Sequence, residues 1–394
     1  MNGRVSPPKS FADENNDFAL AMYEQLRQRP GNLFFSPFGI RAALGMAEAG
    51  AKGETALQMR EALQISSSDE TRHVDFAKIS HRLNAAGVGE YEMEVANSLW
   101  CQDGTPLQPG FLDLIARHYG GGVNLLDFEH AAGAARETIN HWVEDKTREK
   151  IREIIPPGGI DAETQLVLVN AVYFKGKWVL QFLKTATRDE PFYLEGGGTV
   201  QAPLMRQESH IWYLQGGGYQ AVDLCYRGGD LSMLVLLPDR KDRLRDLERT
   251  LSTRMLNQCV ARTHKTEVKL FLPRFKVSWG AVNLKDQLTT LGMPLAFARF
   301  HADFSGINGR EPPAEDSLFI STVVHKAFVE ANEEGTEAAA ATSSDMEFAT
   351  ASRFSKPPPV PVFRADHPFL FAIRDWKTNA ILFLGRITDP TREG

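Results

Sequence analysis

Cysteine is scarce: Cys101, Cys225 and Cys259 are the three in 394 residues. They are far apart and odd in number, and no two have metal-ligand spacing. Neither a disulfide framework nor a zinc site is expected, and the thiols should be buried or idle. No run reaches the ~18 apolar residues that a membrane helix needs. Met1 to Asp17 is polar and lacks the apolar core of a signal peptide. Charge of one sign is missing too. With 44 basic against 50 acidic residues the net charge is −6, and nothing demands nucleic acid or an anionic membrane as partner. The basic run Arg240, Lys241, Arg243 and Arg245 is broken by Asp242 and Asp246 and reads as a solvated face. The short motifs of catalysis are also absent: no Gly-x-Ser-x-Gly elbow, no His-Glu-x-x-His, no phosphate-binding Gly-x-x-x-x-Gly-Lys and no Gly-x-Gly-x-x-Gly. Gly196 to Gly198 and Gly216 to Gly218 sit in polar stretches and read as turns. No cofactor or metal is expected, and nothing favours an enzyme.

What remains is an ordinary globular composition, 43% hydrophobic and 24% charged. Apolar residues at helical spacing predict a helix over Phe11 to Arg29, stopped by Pro30-Gly31. Ser36-Pro37 opens a second, rich in small residues that allow close packing under a sheet. Thr55 to Leu63, Thr71 to Leu83 and Ala135 to Ile155 are further helices. The last presents Ile139, Trp142, Val143, Ile151 and Ile155 as its apolar face. Gln165 to Phe174 is apolar enough for a central strand buried on both faces. Leu231 to Leu237, Val268 to Lys276, Phe319 to Val329, Phe369 to Ile373 and Ile381 to Ile387 are strands, the last two joined around Lys377 to Ala380. Helices mainly first and strands mainly later argue for an α+β fold.

One segment does not fit a compact domain. Glu333 to Val362 is rich in Ala, Ser, Thr and Pro, and lies between two convincing strands. A connection of that length is usually functional or disordered.

Five stretches resemble the serpin family of serine protease inhibitors: Asn32 to Ile40, Gly50 to Met59, Leu168 to Trp178, Val324 to Thr342 and Phe363 to Phe371. They cover about residues 15 to 390, in order. The resemblance implies a serpin-like fold of about nine helices and three β-sheets with an exposed reactive-centre loop, about residues 333–362. Residues 1–12 are expected to be a flexible tail and 13–390 a single domain. It further implies a metastable inhibitor of the suicide type. A serine endopeptidase cuts the loop, whose first part then inserts into the main sheet and traps the acyl-enzyme. Glu333, Glu334, Gly335, Thr336, Glu337, Ala338, Ala339, Ala340 and Ala341 match the hinge. Ser36, Asn170 and His325 match a hydrogen-bonded shutter beneath the sheet, and Trp178 matches the breach aromatic. Gly39 departs from the family's second serine there. The scissile bond falls at Ala349-Thr350, with Phe348 and Arg353 as alternatives because the loop is longer than usual. A small residue suits an elastase-like or subtilisin-like protease, Phe348 a chymotrypsin-like one and Arg353 a trypsin-like one. A monomer acting outside the cell is implied; the cytoplasm stays open.

The loop residues meet an independent physical demand. From Thr336 on, successive side chains of a strand alternate between faces. Thr336, Ala338, Ala340, Thr342, Ser344 and Met346 share one face and none is charged. Glu337, Asp345 and Glu347 all fall on the other. A one-residue slip would bury those carboxylates. Gly335 can adopt backbone angles closed to other residues. Pro357, Pro358, Pro359 and Pro361 cannot donate ladder hydrogen bonds and should stay outside any sheet. A non-inhibitory binding or chaperone relative, and an enzyme with an unrecognised site, are the competing readings.

Overall fold

The computed structural model describes residues 9–66, 69–86, 90–335 and 359–393. Its helices are α1 Phe11–Leu26, α2 Pro37–Glu48, α3 Gly53–Ala62, α4 Asp69–Ala86, α5 Pro109–His118, α6 Phe128–Lys146, α7 Leu244–Thr250, α8 Thr253–Arg262, α9 Lys285–Thr290 and α10 Ser305–Asn308. Its strands are β1 Leu33–Phe35, β2 Tyr91–Gln102, β3 Gly122–Leu126, β4 Leu166–Gly176, β5 Arg188–Tyr193, β6 Thr199–Gly216 and β7 Tyr219–Cys225, followed by β8 Leu231–Pro238, β9 His264–Pro273, β10 Phe275–Asn283, β11 Ile320–Ala331, β12 Val362–Arg364, β13 Phe369–Asp375 and β14 Ile381–Ile387.

Local chemistry explains the helix starts. Ser10 caps α1 in a capping box with Asp13. The Ser36 hydroxyl accepts from the Gly39 amide, and Pro37 occupies the first turn of α2, where its missing N–H costs nothing. Every residue of α2 is buried. Its small side chains let it run between the two sheets, against β2 and β4 on one side and β14 on the other.

The five-stranded main sheet has the order β10-β11-β4-β2-β3. β4 runs parallel to β11 and antiparallel to β2. Leu166, Leu168, Val172 and Phe174 join the principal core, while Val167, Val169, Ala171 and Tyr173 pack under α6 with Ile139 and Val143. The central strand is thus buried on both faces, as its apolar run predicts. The other nine strands form one hydrogen-bonded path, β1-β14-β13-β8-β7-β6-β9-β12 with β5 on β6. The long β6 joins two limbs of it, pairing β5 and β9 through its first part and β7 through its last. The three expected sheets are the main sheet and these two limbs.

Two boundaries differ from expectation. The helix expected over Ala135 to Ile155 begins at Phe128 and ends at Lys146. Arg148, Glu149 and Glu153 take φ of 50°, 60° and 51° and turn the chain across the face of the main sheet. Ile151, Ile154 and Ile155 are still fully buried: the apolar period is kept, but irregular chain delivers it. The single strand expected over Val268 to Lys276 is two, β9 and β10, broken at Arg274.

Candidate functional site

Three neighbouring places carry the residues that the sequence singles out. The first is where the chain leaves the main sheet. β11 ends at Ala331, and Asn332 to Gly335 make a tight turn closed by the Gly335 amide donating to the Asn332 carbonyl at 3.2 Å. Glu333, Glu334 and Gly335 are buried, so the exposure expected from residue 333 does not hold for these three. The reason is a set of contacts. The Glu333 carboxylate accepts from the Arg274 guanidinium through both oxygens and from the Thr187 hydroxyl at 2.5 Å. Burial pushes the Glu333 carboxyl up, but the hydrogen bonds from Arg274 and Thr187 outweigh it and hold it below the usual carboxylate range. Lys184 pairs with the Glu334 carboxylate. Gly335 has φ 93°, and a Cβ there would strike the backbone of Gly176, Lys177 and Trp178. Only glycine fits on both counts.

The second place adjoins it. Trp178 follows β4, and its indole N–H donates to the Asn332 carbonyl at 2.9 Å while its amide donates to the Glu334 carbonyl at 3.0 Å. The ring is buried and stacks on Tyr226 with centroids 4.5 Å apart. The amide of Phe182 donates to the Glu333 carbonyl at 2.8 Å. The segment after β4 therefore grips the turn after β11.

The third place lies lower in the same seam. His325 of β11, Asn170 of β4 and Asn97 of β2 stand in one row across the sheet. Nδ1–H of His325 donates to Asn170 Oδ1 at 2.6 Å, and Nε2 accepts the Ser36 amide at 3.2 Å. Asn170 Nδ2 donates to Asn97 Oδ1 at 2.5 Å. The Ser36 hydroxyl donates to the Leu382 carbonyl at 2.8 Å. Burial pushes the His325 ring down to about 3, so it is neutral, which is the form this row of partners needs. Gly39 is explained by the same row. A Cβ on it would come within 2.6 Å of Asn170 Nδ2 and 2.8 Å of Oδ1. The backbone of α2 lies against the Asn170 amide, and Asn97 supplies the acceptor on the far side.

Over the other face of this seam runs the segment after α6. Lys326 of β11 donates to the Arg152 carbonyl at 2.7 Å, and Arg148 pairs with Glu92 at 3.1 Å and Glu94 at 2.6 Å on β2.

Thr336, Glu337, Ala338, Ala339, Ala340, Ala341, Phe348, Ala349, Thr350, Arg353, Pro357 and Pro358 lie outside the described residues. Pro359 and Pro361 precede β12 without joining a strand, although the Pro361 carbonyl accepts from the Lys269 amide at 3.0 Å. β12 then pairs in parallel with β9. The loop thus links the end of β11 to the edge of one limb of the larger sheet. Sequence reasoning missed Arg274, Thr187 and Asn97. Asn97 alone leaves a signal: it sits with Ser98 as a polar pair in the apolar part of β2.

Comparison with known proteins gives one consistent match. Residues 13–390 match the family described as Serpin (serine protease inhibitor). Serpin B3 of Homo sapiens is 38% identical, over 97% of this chain and 100% of that protein. Leukocyte elastase inhibitor A of Rattus norvegicus is 37% identical, with 97% and 100% covered. The structure of Arabidopsis AtSerpin1 in its native stressed conformation superposes with a TM-score of 0.85 at 27% identity, covering 98% of this chain and 100% of that one.

Proposed function

This chain belongs to the serpin family, the serine protease inhibitors, and from that premise we propose that it is an irreversible inhibitor of the suicide type rather than an enzyme. The observation that carries this is the parallel seam between β11 and β4, with the loop leaving from the end of β11. A chain that turns back from β11 at Asn332 to Gly335 can pair with β11 only antiparallel. Because β4 is parallel to β11, the same strand would pair antiparallel with β4 as well. Insertion therefore replaces one parallel pairing with two antiparallel ones, which are slightly the more stable per residue. It also has to part His325 from Asn170, so these two, with Ser36, act as the shutter, and Trp178 as the breach contact beside the hinge.

The chemistry is the protease's own. Its serine hydroxyl attacks the carbonyl of Ala349, the bond to Thr350 breaks, the Thr350 amine leaves with a proton, and an ester links enzyme and loop. Residues from Thr336 onward then enter the seam and carry the ester with them before water can hydrolyse it. Glu333, Glu334, Gly335 and Thr336 to Ala341 serve as the hinge. An elastase-like or subtilisin-like target is favoured by the small Ala349, and a relative bears the name leukocyte elastase inhibitor. Phe348 or Arg353 would redirect the bait to a chymotrypsin-like or trypsin-like enzyme. The inhibitor acts as a monomer, outside the cell, without nucleic acid, membrane or cofactor. Its free thiols, Cys101, Cys225 and Cys259, tie the fold to no oxidising compartment.

The test is to incubate the protein with elastase, subtilisin, chymotrypsin and trypsin separately, followed by denaturing gels and intact mass spectrometry. An SDS-stable adduct and a released peptide starting at Thr350 are expected. A peptide starting at Ala349 or Phe354 moves the bond to Phe348 or Arg353. Loop cleavage without any adduct overturns the inhibitory reading.

A further inference from the structure

We propose that Val179, Leu180 and Leu183 form a docking surface for the target protease beside the loop, engaged in the encounter that precedes cleavage. Eight large hydrophobic side chains are exposed among the described residues, and these three, at 51%, 45% and 70%, fall in one five-residue stretch. A fourth, Val362, is 48% exposed and marks the place where the loop returns. Exposed apolar side chains scattered singly need no explanation, whereas a cluster rimmed by polar groups marks an interaction site.

The local build is that of a presented surface. Trp178 and Phe182 point inward and are buried, and their amides are bonded to the Glu334 and Glu333 carbonyls. The three aliphatic side chains between and beyond them are thereby turned out and held on a fixed backbone. The Leu180 carbonyl accepts from Gln207 of β6 at 3.4 Å, and Lys184 on the rim is paired with Glu334. An apolar centre with satisfied polar neighbours is the anatomy of a protein–protein contact.

Position selects the occupant. The 23 residues between Gly335 and Pro359 lie outside the described structure, and both of their roots are at this end. One root is gripped by the Trp178 to Phe182 segment. The other, β12, lies two strands from β6, about 10 Å away at ordinary strand spacing. Both halves of the loop are rooted at this end of the molecule, which places the aliphatic cluster within reach of a protease that holds the bait bond. The complementary surface on the protease is apolar. Because the trap that follows is irreversible, a tighter encounter raises the second-order rate of inhibition without altering the trap. This inference rests on the inhibitory reading above.

The double variant Leu180→Ser/Leu183→Ser tests it, with the panel protease that forms the fastest adduct. The second-order inhibition rate should fall about tenfold, as expected for loss of apolar anchors from a contact. The number of inhibitor molecules consumed per protease trapped, and the Tm, should stay at the parent's values. A parent that forms no adduct with any of the four proteases overturns the inhibitory reading, and this proposal with it. An adduct-forming parent matched in rate by the variant overturns the docking surface alone. A change in the consumption ratio places these residues in sheet opening instead. A parent dimer in light scattering that the variant abolishes makes the occupant a second copy. Either of those outcomes also overturns the proposal.

Discussion

The two sheets of this protein share a core but are joined in different ways. In the larger one, β13 lies between β14 and β8 with both pairings antiparallel. The Phe34 ring stacks between those of Phe371 and Phe383, with centroids 5.7 and 5.1 Å away. Interlocked aromatic rings tie the centre of that sheet together. In the main sheet the central contact, β11 to β4, is parallel and joins segments about 150 residues apart. Its middle is occupied by a polar row in place of interlocking apolar side chains. The larger sheet is antiparallel and apolar at its centre, while the centre of the main sheet is a parallel seam with a polar row, and the chain leaves β11 at the end of that seam.

The sharpest way to break the comparison is to damage the two sheets equally and ask which forms of the protein notice. Phe383→Ala removes a fully buried ring, and a loss of about 3–5 kcal/mol is expected. The proposed insertion takes place in the main sheet and leaves this one alone, so the intact and loop-cleaved proteins should lose similar amounts in urea unfolding. His325→Ala leaves Asn170 Oδ1 and the Ser36 amide without partners in a buried seam, for about 2–4 kcal/mol. Here the loss should fall on the intact protein and be much smaller after cleavage. Equal losses in both forms for His325→Ala would remove the distinction between the sheets.

The same residue gives a pH signature. The native ring stays neutral down to about 3, against its ordinary 6.5. The unfolded chain therefore takes up a proton that the native state refuses. Stability is complete above 6.5 and is lost as pH falls from there toward 3, by about 2 kcal/mol at pH 5. Urea midpoints at pH 7 and 5 measure it. His325→Gln should flatten that portion of the profile.

How much of this was readable beforehand follows from what kind of signal each feature leaves. The Ser36-Pro37 start of α2, the doubly buried run of β4 and the turn at Lys377 to Ala380 are local, and local chemistry declares them. The end of α6 is not. No glycine or proline separates Lys146 from Ile155, and the isoleucines keep a helical period, so only the packing of the segment across the sheet ends the helix. Gly335 was legible as a residue of special backbone conformation, and its φ of 93° is one that favours glycine. Its latch was not: Arg274 and Thr187 are 59 and 146 residues from Glu333, and neither stands out until the strands are paired. Arg274→Ala tests that latch. It would leave the Glu333 carboxylate buried with only Thr187 as a side-chain partner. Because Arg274 is itself 43% exposed, the discounted loss is about 1–2 kcal/mol in the intact protein. The accompanying sign is faster spontaneous loss of inhibitory activity on storage, since the turn after β11 is freed.

The smallest effect has the opposite sign. Arg148, Glu149 and Glu153 hold left-handed backbone angles in the strap over the seam, and each such non-glycine residue costs roughly 1–2 kcal/mol. That strain is carried by the intact protein, in a segment that also pins β2 through Arg148 and β11 through Lys326. Glu149→Gly removes the steric penalty but adds chain entropy to the unfolded state, so a net gain of about 0.5–1 kcal/mol in the intact protein is expected. If that strain is released when the seam opens, removing it takes away part of the drive and should slow insertion: more of the inhibitor would be cleaved without trapping its protease. A stabilised variant with an unchanged consumption ratio would place the strain outside the path of insertion. The main sheet's readiness to part would then reside in the polar row and the parallel pairing alone.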